Sequence, residues 1–109
     1  MIRRFLGWLR GALGLGATAY RMTVEPDVPD RIAPKRLYVV GDPGHYWLAV
    51  MKCPCGCDSD IQLPLSGNDW PRWSVDGADS APTLRPSIHR TTGCRSHFLL
   101  RRGKVVWCR

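Results

Sequence analysis

Gly93-Cys94-Arg95-Ser96-His97-Phe98-Leu99-Leu100-Arg101-Arg102-Gly103-Lys104-Val105-Val106-Trp107 reads as two short β runs on either side of a tight turn. His97 to Arg101 and Lys104 to Trp107 are rich in apolar and aromatic residues, and Arg102-Gly103 between them is a hairpin signal. Cys94 and His97, three apart, stand at the entrance to that hairpin, with Gly93 allowing a sharp approach. Upstream, the run Tyr46 to Lys52 leads straight into Cys53-Pro54-Cys55-Gly56-Cys57. Leu37 to Val40 is a further short β run, closed by Gly41-Asp42-Pro43-Gly44, and Ile61 to Leu65 and Trp73 to Asp76 alternate apolar with polar residues. These runs predict a mainly β protein: a small antiparallel sheet or half-barrel, with two cysteine-bearing loops brought together at one end.

The two loops have the composition of a metal site. Zn²⁺ prefers thiolate and imidazole, and structural sites draw four such ligands from two short loops. Proline and glycine around Cys53, Cys55 and Cys57 let neighbouring sulfurs converge on one ion. The best four ligands are Cys53, Cys57, Cys94 and His97, with Cys55 as the substitute for either upstream cysteine and Cys108 for Cys94. Disulfides or inert core cysteines are the alternative, but Cys53, Cys55 and Cys57 are too close together for convenient bridges among themselves.

At 109 residues and 44% apolar content the chain builds only a modest core, which a structural metal would supplement. The organisation expected is an amphipathic N-terminal helix over 1–20, a Pro-rich linker over 21–36 and a zinc-binding β domain over 37–109. In the first segment Ile2, Phe5, Leu6, Leu9 and Leu13 recur near helical spacing, which suits docking of residues 2–16 on a partner or a membrane surface. The same segment has features of a secretory signal, with Arg3 and Arg4 first and Ala17-Thr18-Ala19 as a cleavage site. Arg10 interrupts that pattern, and a thiolate metal site favours a reducing compartment, so the expected location is cytoplasmic. No stretch is long and apolar enough to span a bilayer. A net charge of +7 suits an acidic surface, yet no aromatic-basic motif of a nucleic-acid module accompanies it, and no specific nucleic-acid partner is expected.

Four motifs in order carry a resemblance: Cys53-Pro54-Cys55-Gly56-Cys57, Thr83-Leu84-Arg85-Pro86-Ser87-Ile88, Gly93 to Phe98, and Arg102 to Cys108. The chain resembles a family of small bacterial proteins of unassigned domain type. Its members are encoded beside ubiquitin-like conjugation genes (a ubiquitin-like protein, an E1 and an E2), some of them in antiphage islands. The resemblance covers about residues 37 to 108. It implies a metal-binding member of such a pathway, with Cys53, Cys57, Cys94 and His97 as ligands and with the ubiquitin-like protein or the E1 and E2 proteins as partners.

Two functions fit that context. The first is a zinc peptidase that trims the ubiquitin-like protein or cleaves its conjugates. Three protein ligands would then leave a position for water, Asp58 or Asp60 would act as general base, and Ser87 and Ser96 would polarise the carbonyl or orient ligands. The second is a closed structural zinc module that acts as an adaptor. Against the first, the only glutamate is Glu25 and no His-Glu-x-x-His helix is present. Ser87 is also a possible nucleophile, although sequence shows no base paired with it, and His89 a possible acid-base group. Rieske-like electron transfer is a weaker third reading, because a cysteine stands where that pattern needs its first histidine.

Overall fold

The computed structural model describes residues 19–67 and 71–108. The helix expected over 1–20 lies outside them except for Ala19 and Tyr20, which are not helical, and the described residues contain no helix. The expected mainly β character is present, among the described residues as eight strands in two sheets rather than in one sheet or half-barrel. The first sheet holds β1 (Arg21–Glu25), β2 (Arg36–Asp42), β3 (His45–Lys52) and β4 (Asp60–Pro64), in that order. The second holds β5 (Ser74–Asp76), β6 (Thr83–His89), β7 (His97–Arg101) and β8 (Lys104–Trp107).

Two sheets form because most strands carry one apolar face that another layer must cover. Leu37, Val39, Ala49, Met51 and Leu63 of the first sheet share one core with Leu84, Ile88, Phe98 and Leu100 of the second. Leu37, Ala49, Met51 and Phe98 are fully buried, and each large apolar side chain removed from water contributes about 1.5–3 kcal/mol. Behind the first sheet, Ile32, Tyr38 and Val50 form a smaller cluster under the Pro-rich connection, where Ala33 N donates to the Tyr38 hydroxyl at 3.1 Å. That connection returns the chain so that β1 pairs in parallel with β2, from Arg21↔Arg36 to Glu25↔Val40. Parallel partners need such a crossover rather than a tight turn.

The hairpin expected at Arg102-Gly103 joins β7 to β8, with both residues at positive φ, 51° and 79°. A side chain at Gly103 would start 2.9 Å from the Tyr20 carbonyl oxygen, because Tyr20 N donates to the Gly103 carbonyl.

β6 was not legible as a strand, since Pro86 within it removes a ladder donor. The fold accommodates Pro86 at an irregularity: on β7, Leu100 to Phe98 spans two steps, while on β6 the partners Leu84 to Ile88 span four. Arg85, Pro86 and Ser87 there stand opposite Leu99 alone, two residues in surplus, and Ser87 is half-buried. Bulges of this kind re-aim side chains and recur beside active sites.

Candidate functional site

Two constellations lie at one end of the sandwich. The first is built from two turns, one from each sheet. Between β3 and β4, Cys53 N donates to the Ser59 carbonyl at 2.8 Å and closes the loop that carries Cys53, Cys55 and Cys57. Between β6 and β7, Arg90 N donates to the Ser96 carbonyl at 2.8 Å and closes the loop that carries Cys94. The four sulfurs lie within 4.8 Å of one another; Cys53 Sγ is 3.4 Å from Cys55 Sγ and 3.6 Å from Cys94 Sγ. Four thiolates around Zn²⁺ at about 2.3 Å stand about 3.8 Å apart in a tetrahedron, so the spacing and the donor set fit such an ion. Buried Ser96 places its hydroxyl 3.1 Å from Cys94 Sγ and 3.6 Å from Cys53 Sγ. Arg90 Nη1 approaches Cys57 Sγ at 3.6 Å and Cys94 Sγ at 3.5 Å, setting a cation against the thiolates.

The electrostatics follow from these contacts. The hydroxyl of Ser96, and then its backbone N–H, bring the Cys94 thiol down to about 6. Hydrogen bonds from the Ser59 side chain and backbone lower Cys57 as well. Burial, and then the charge of Cys53, push Tyr20 up to about 12, so its phenol stays protonated beside the cluster.

The cluster differs in composition from the sequence expectation: Cys55 stands in it, whereas His97 and Cys108 are not among the grouped ligand atoms. Cys108 is half-buried, and its N–H donates to the His97 carbonyl. Asp58 and Asp60 flank the upstream loop, where Lys52 Nζ pairs with them at 3.4 and 2.8 Å.

His97 belongs to the second constellation. Its Nε2 lies 3.1 Å from Ser87 Oγ, across the β6–β7 ladder. His89, the cross-strand neighbour of His97, stacks on its ring with centroids 4.5 Å apart and planes 19° from parallel. The Ser87 carbonyl accepts from the Trp73 indole N–H at 3.4 Å, which fixes the backbone at the bulge. A serine hydroxyl within hydrogen-bond reach of an imidazole is the core of an acyl-transfer site. The sequence already held both residues, but their contact depends on a register that a bulge shifts. Ser96, expected from the sequence to orient ligands, does stand against the sulfurs, whereas Arg90 was missed, because nothing in residue spacing marks it as a neighbour of the thiols.

Residues 24–108 match the family described as "Bacterial ubiquitination-like system serine protease (BubE)". The chain belongs to the BubE family. The resemblance to small proteins beside ubiquitin-like conjugation genes thus holds at the level of the pathway, and the BubE description specifies a serine protease rather than a metal-binding protein of unassigned type. No curated protein and no solved structure matches the chain. Among the described residues, no helix is long and apolar enough to cross a membrane.

Proposed function

We propose that this BubE-family chain is a serine peptidase acting on the ubiquitin-like protein of its pathway, either at a precursor tail or at a conjugate bond. The observation that carries the reading is the 3.1 Å contact between Ser87 Oγ and His97 Nε2. Ser87 Oγ attacks the scissile carbonyl while His97 Nε2 takes its proton, and the same proton then passes to the departing amine. Water, deprotonated in turn by His97, cleaves the acyl-Ser87 ester and releases the carboxylate product. His89 braces the imidazole by stacking on it.

The cysteine cluster takes a different role in this account. Zn²⁺ held by Cys53, Cys55, Cys57 and Cys94 would have four thiolates and no position for a reactive water, which is the pattern of a structural site. Its chemistry is a cross-link between the β3–β4 and β6–β7 turns. Because the loop that carries Cys94 leads directly into His97 at the start of β7, that cross-link also helps hold the β6–β7 ladder on which Ser87 and His97 meet. Asp58 and Asp60, paired with Lys52, serve the loop rather than the reaction. A pure adaptor would leave the Ser87–His97 pair without a purpose.

The test is incubation of the metal-loaded protein with a tail-extended precursor of the ubiquitin-like protein. Cleavage by the wild type and its loss in Ser87→Ala, with the fold intact, are expected. Cleavage that survives Ser87→Ala but stops when the metal is chelated without unfolding would favour a metallopeptidase instead. No cleavage by folded wild-type protein would favour the adaptor.

A further inference from the structure

We infer that the groove beside Ser87 selects an extended peptide segment carrying an acidic side chain next to an apolar one. This rests on the peptidase reading for its purpose, but not for its geometry. The groove, an open depression of about 800 Å³, has Ser87 on its wall. Trp73, Pro86 and Leu99 give it an apolar lining, and Arg72 and Arg85 add two guanidinium groups. No carboxylate lines it among the described residues.

Among the described residues, each arginine is anchored through a single donor. Arg72 Nη1 donates to the Gly67 carbonyl at 2.8 Å, and Arg85 Nη1 to Asp76 Oδ2 at 3.0 Å. A guanidinium has five N–H donors in a planar fork, so both keep capacity for a carboxylate, and Asp76 holds Arg85 in place without occupying it.

The surrounding face continues the pattern. Side chains alternate along a strand, so Leu99 and Arg101 of β7 share a face, with Val106 and Lys104 as their cross-strand partners on β8. Val106 is exposed and extends the apolar strip from Leu99, while Arg101 and Lys104 add positive charge along its side. Ser74 and Arg85 are likewise register partners on β5 and β6. A nucleic acid would also meet the charge. The apolar lining of Trp73, Pro86 and Leu99 around a serine nucleophile matches peptide side chains better than a phosphate backbone.

Binding by Ser87→Ala protein, which cannot turn over, tests the groove apart from catalysis. Fluorescent peptides of one apolar sequence, with Glu, Gln or Lys at a single position moved along it, are titrated by anisotropy. The Glu peptide binds about tenfold tighter than the Gln peptide at the best position, as expected for a charge-assisted bidentate contact, and the Lys peptide binds weakest. Arg72→Ala with Arg85→Ala removes the difference between Glu and Gln while circular dichroism is unchanged. Equal binding of Glu and Lys peptides, a preference that survives the double arginine variant, or tighter arginine-dependent binding of a single-stranded oligonucleotide would overturn the inference. In parallel, wild-type protein is treated with a fluorophosphonate: absence of a Ser87 adduct would refute the peptidase reading and leave the binding result to stand or fall on its own.

Discussion

A metal held by the cysteine cluster would pin the two sheets together at one end, and the effect of removing it follows from the chain path. Cys53 and Cys94 are 41 residues apart, and an ion held between them would close that span as a covalent bridge does. For a loop of that length the lost closure entropy corresponds to about 4 kcal/mol at 25 °C. A chain of 109 residues has an unfolding entropy near 60 °C on the order of 0.23 kcal/mol/K, so the melting temperature should fall by about 17 °C. The assay is thermal unfolding followed by circular dichroism, with the metal-loaded protein, the chelator-treated protein and Cys94→Ser compared. Cys108→Ser, a change outside the cluster, is the control and should leave the melting temperature within about 2 °C of wild type, as is usual for substitutions away from such features. A chelated protein shown to be metal-free, yet melting within the same margin, would refute the cross-link argument.

Four further outcomes follow from particular contacts. Ser87→Ala and His97→Ala each lower the cleavage rate by about 10⁴-fold or more, and the double variant is no worse than either, since the two residues act as one unit; steady-state kinetics on the precursor checks this. His89→Ala removes the ring stacked on His97 and lowers kcat by about tenfold, the scale on which small losses of orientation are felt, while KM stays near wild type. Gly103→Ala places a Cβ 2.9 Å from the Tyr20 carbonyl at φ 79°, and costs about 1–3 kcal/mol by denaturant unfolding. In the metal-free protein Cys94 reacts first with iodoacetamide: its thiol sits near 6 because Ser96 donates to the thiolate. It is therefore ionised at pH 7, and its alkylation rate falls as the pH drops through about 6, whereas an ordinary thiol is already slow at neutral pH; mass mapping of the alkylated peptides reads the order.

Legibility differed from element to element, for physical reasons. The β7–β8 hairpin was visible because its signal is local: two β runs and a glycine able to take positive φ. The convergence of the cysteine loops was visible because thiolate chemistry at short spacing has few other uses. β1 was hidden, because its pairing with β2 is parallel and non-local and its five residues border a proline-rich segment. β6 was hidden by Pro86, which marks a break in any ladder unless a bulge absorbs it. That bulge also governed the site. It sets the register in which Ser87 reaches His97, so a histidine at a metal-like spacing from Cys94 faces a serine instead. Cys55 stands with the other three sulfurs, because the tight Cys53–Ser59 loop turns all three upstream thiols to one side.

Whether Ser87 is a nucleophile activated by His97 is read out by intact-mass and peptide mapping after treatment with a fluorophosphonate. A single adduct is expected on the peptide containing Ser87, formed by the wild type and lost in His97→Ala with the fold preserved. An adduct elsewhere, or none on folded, metal-loaded protein, would contradict that role.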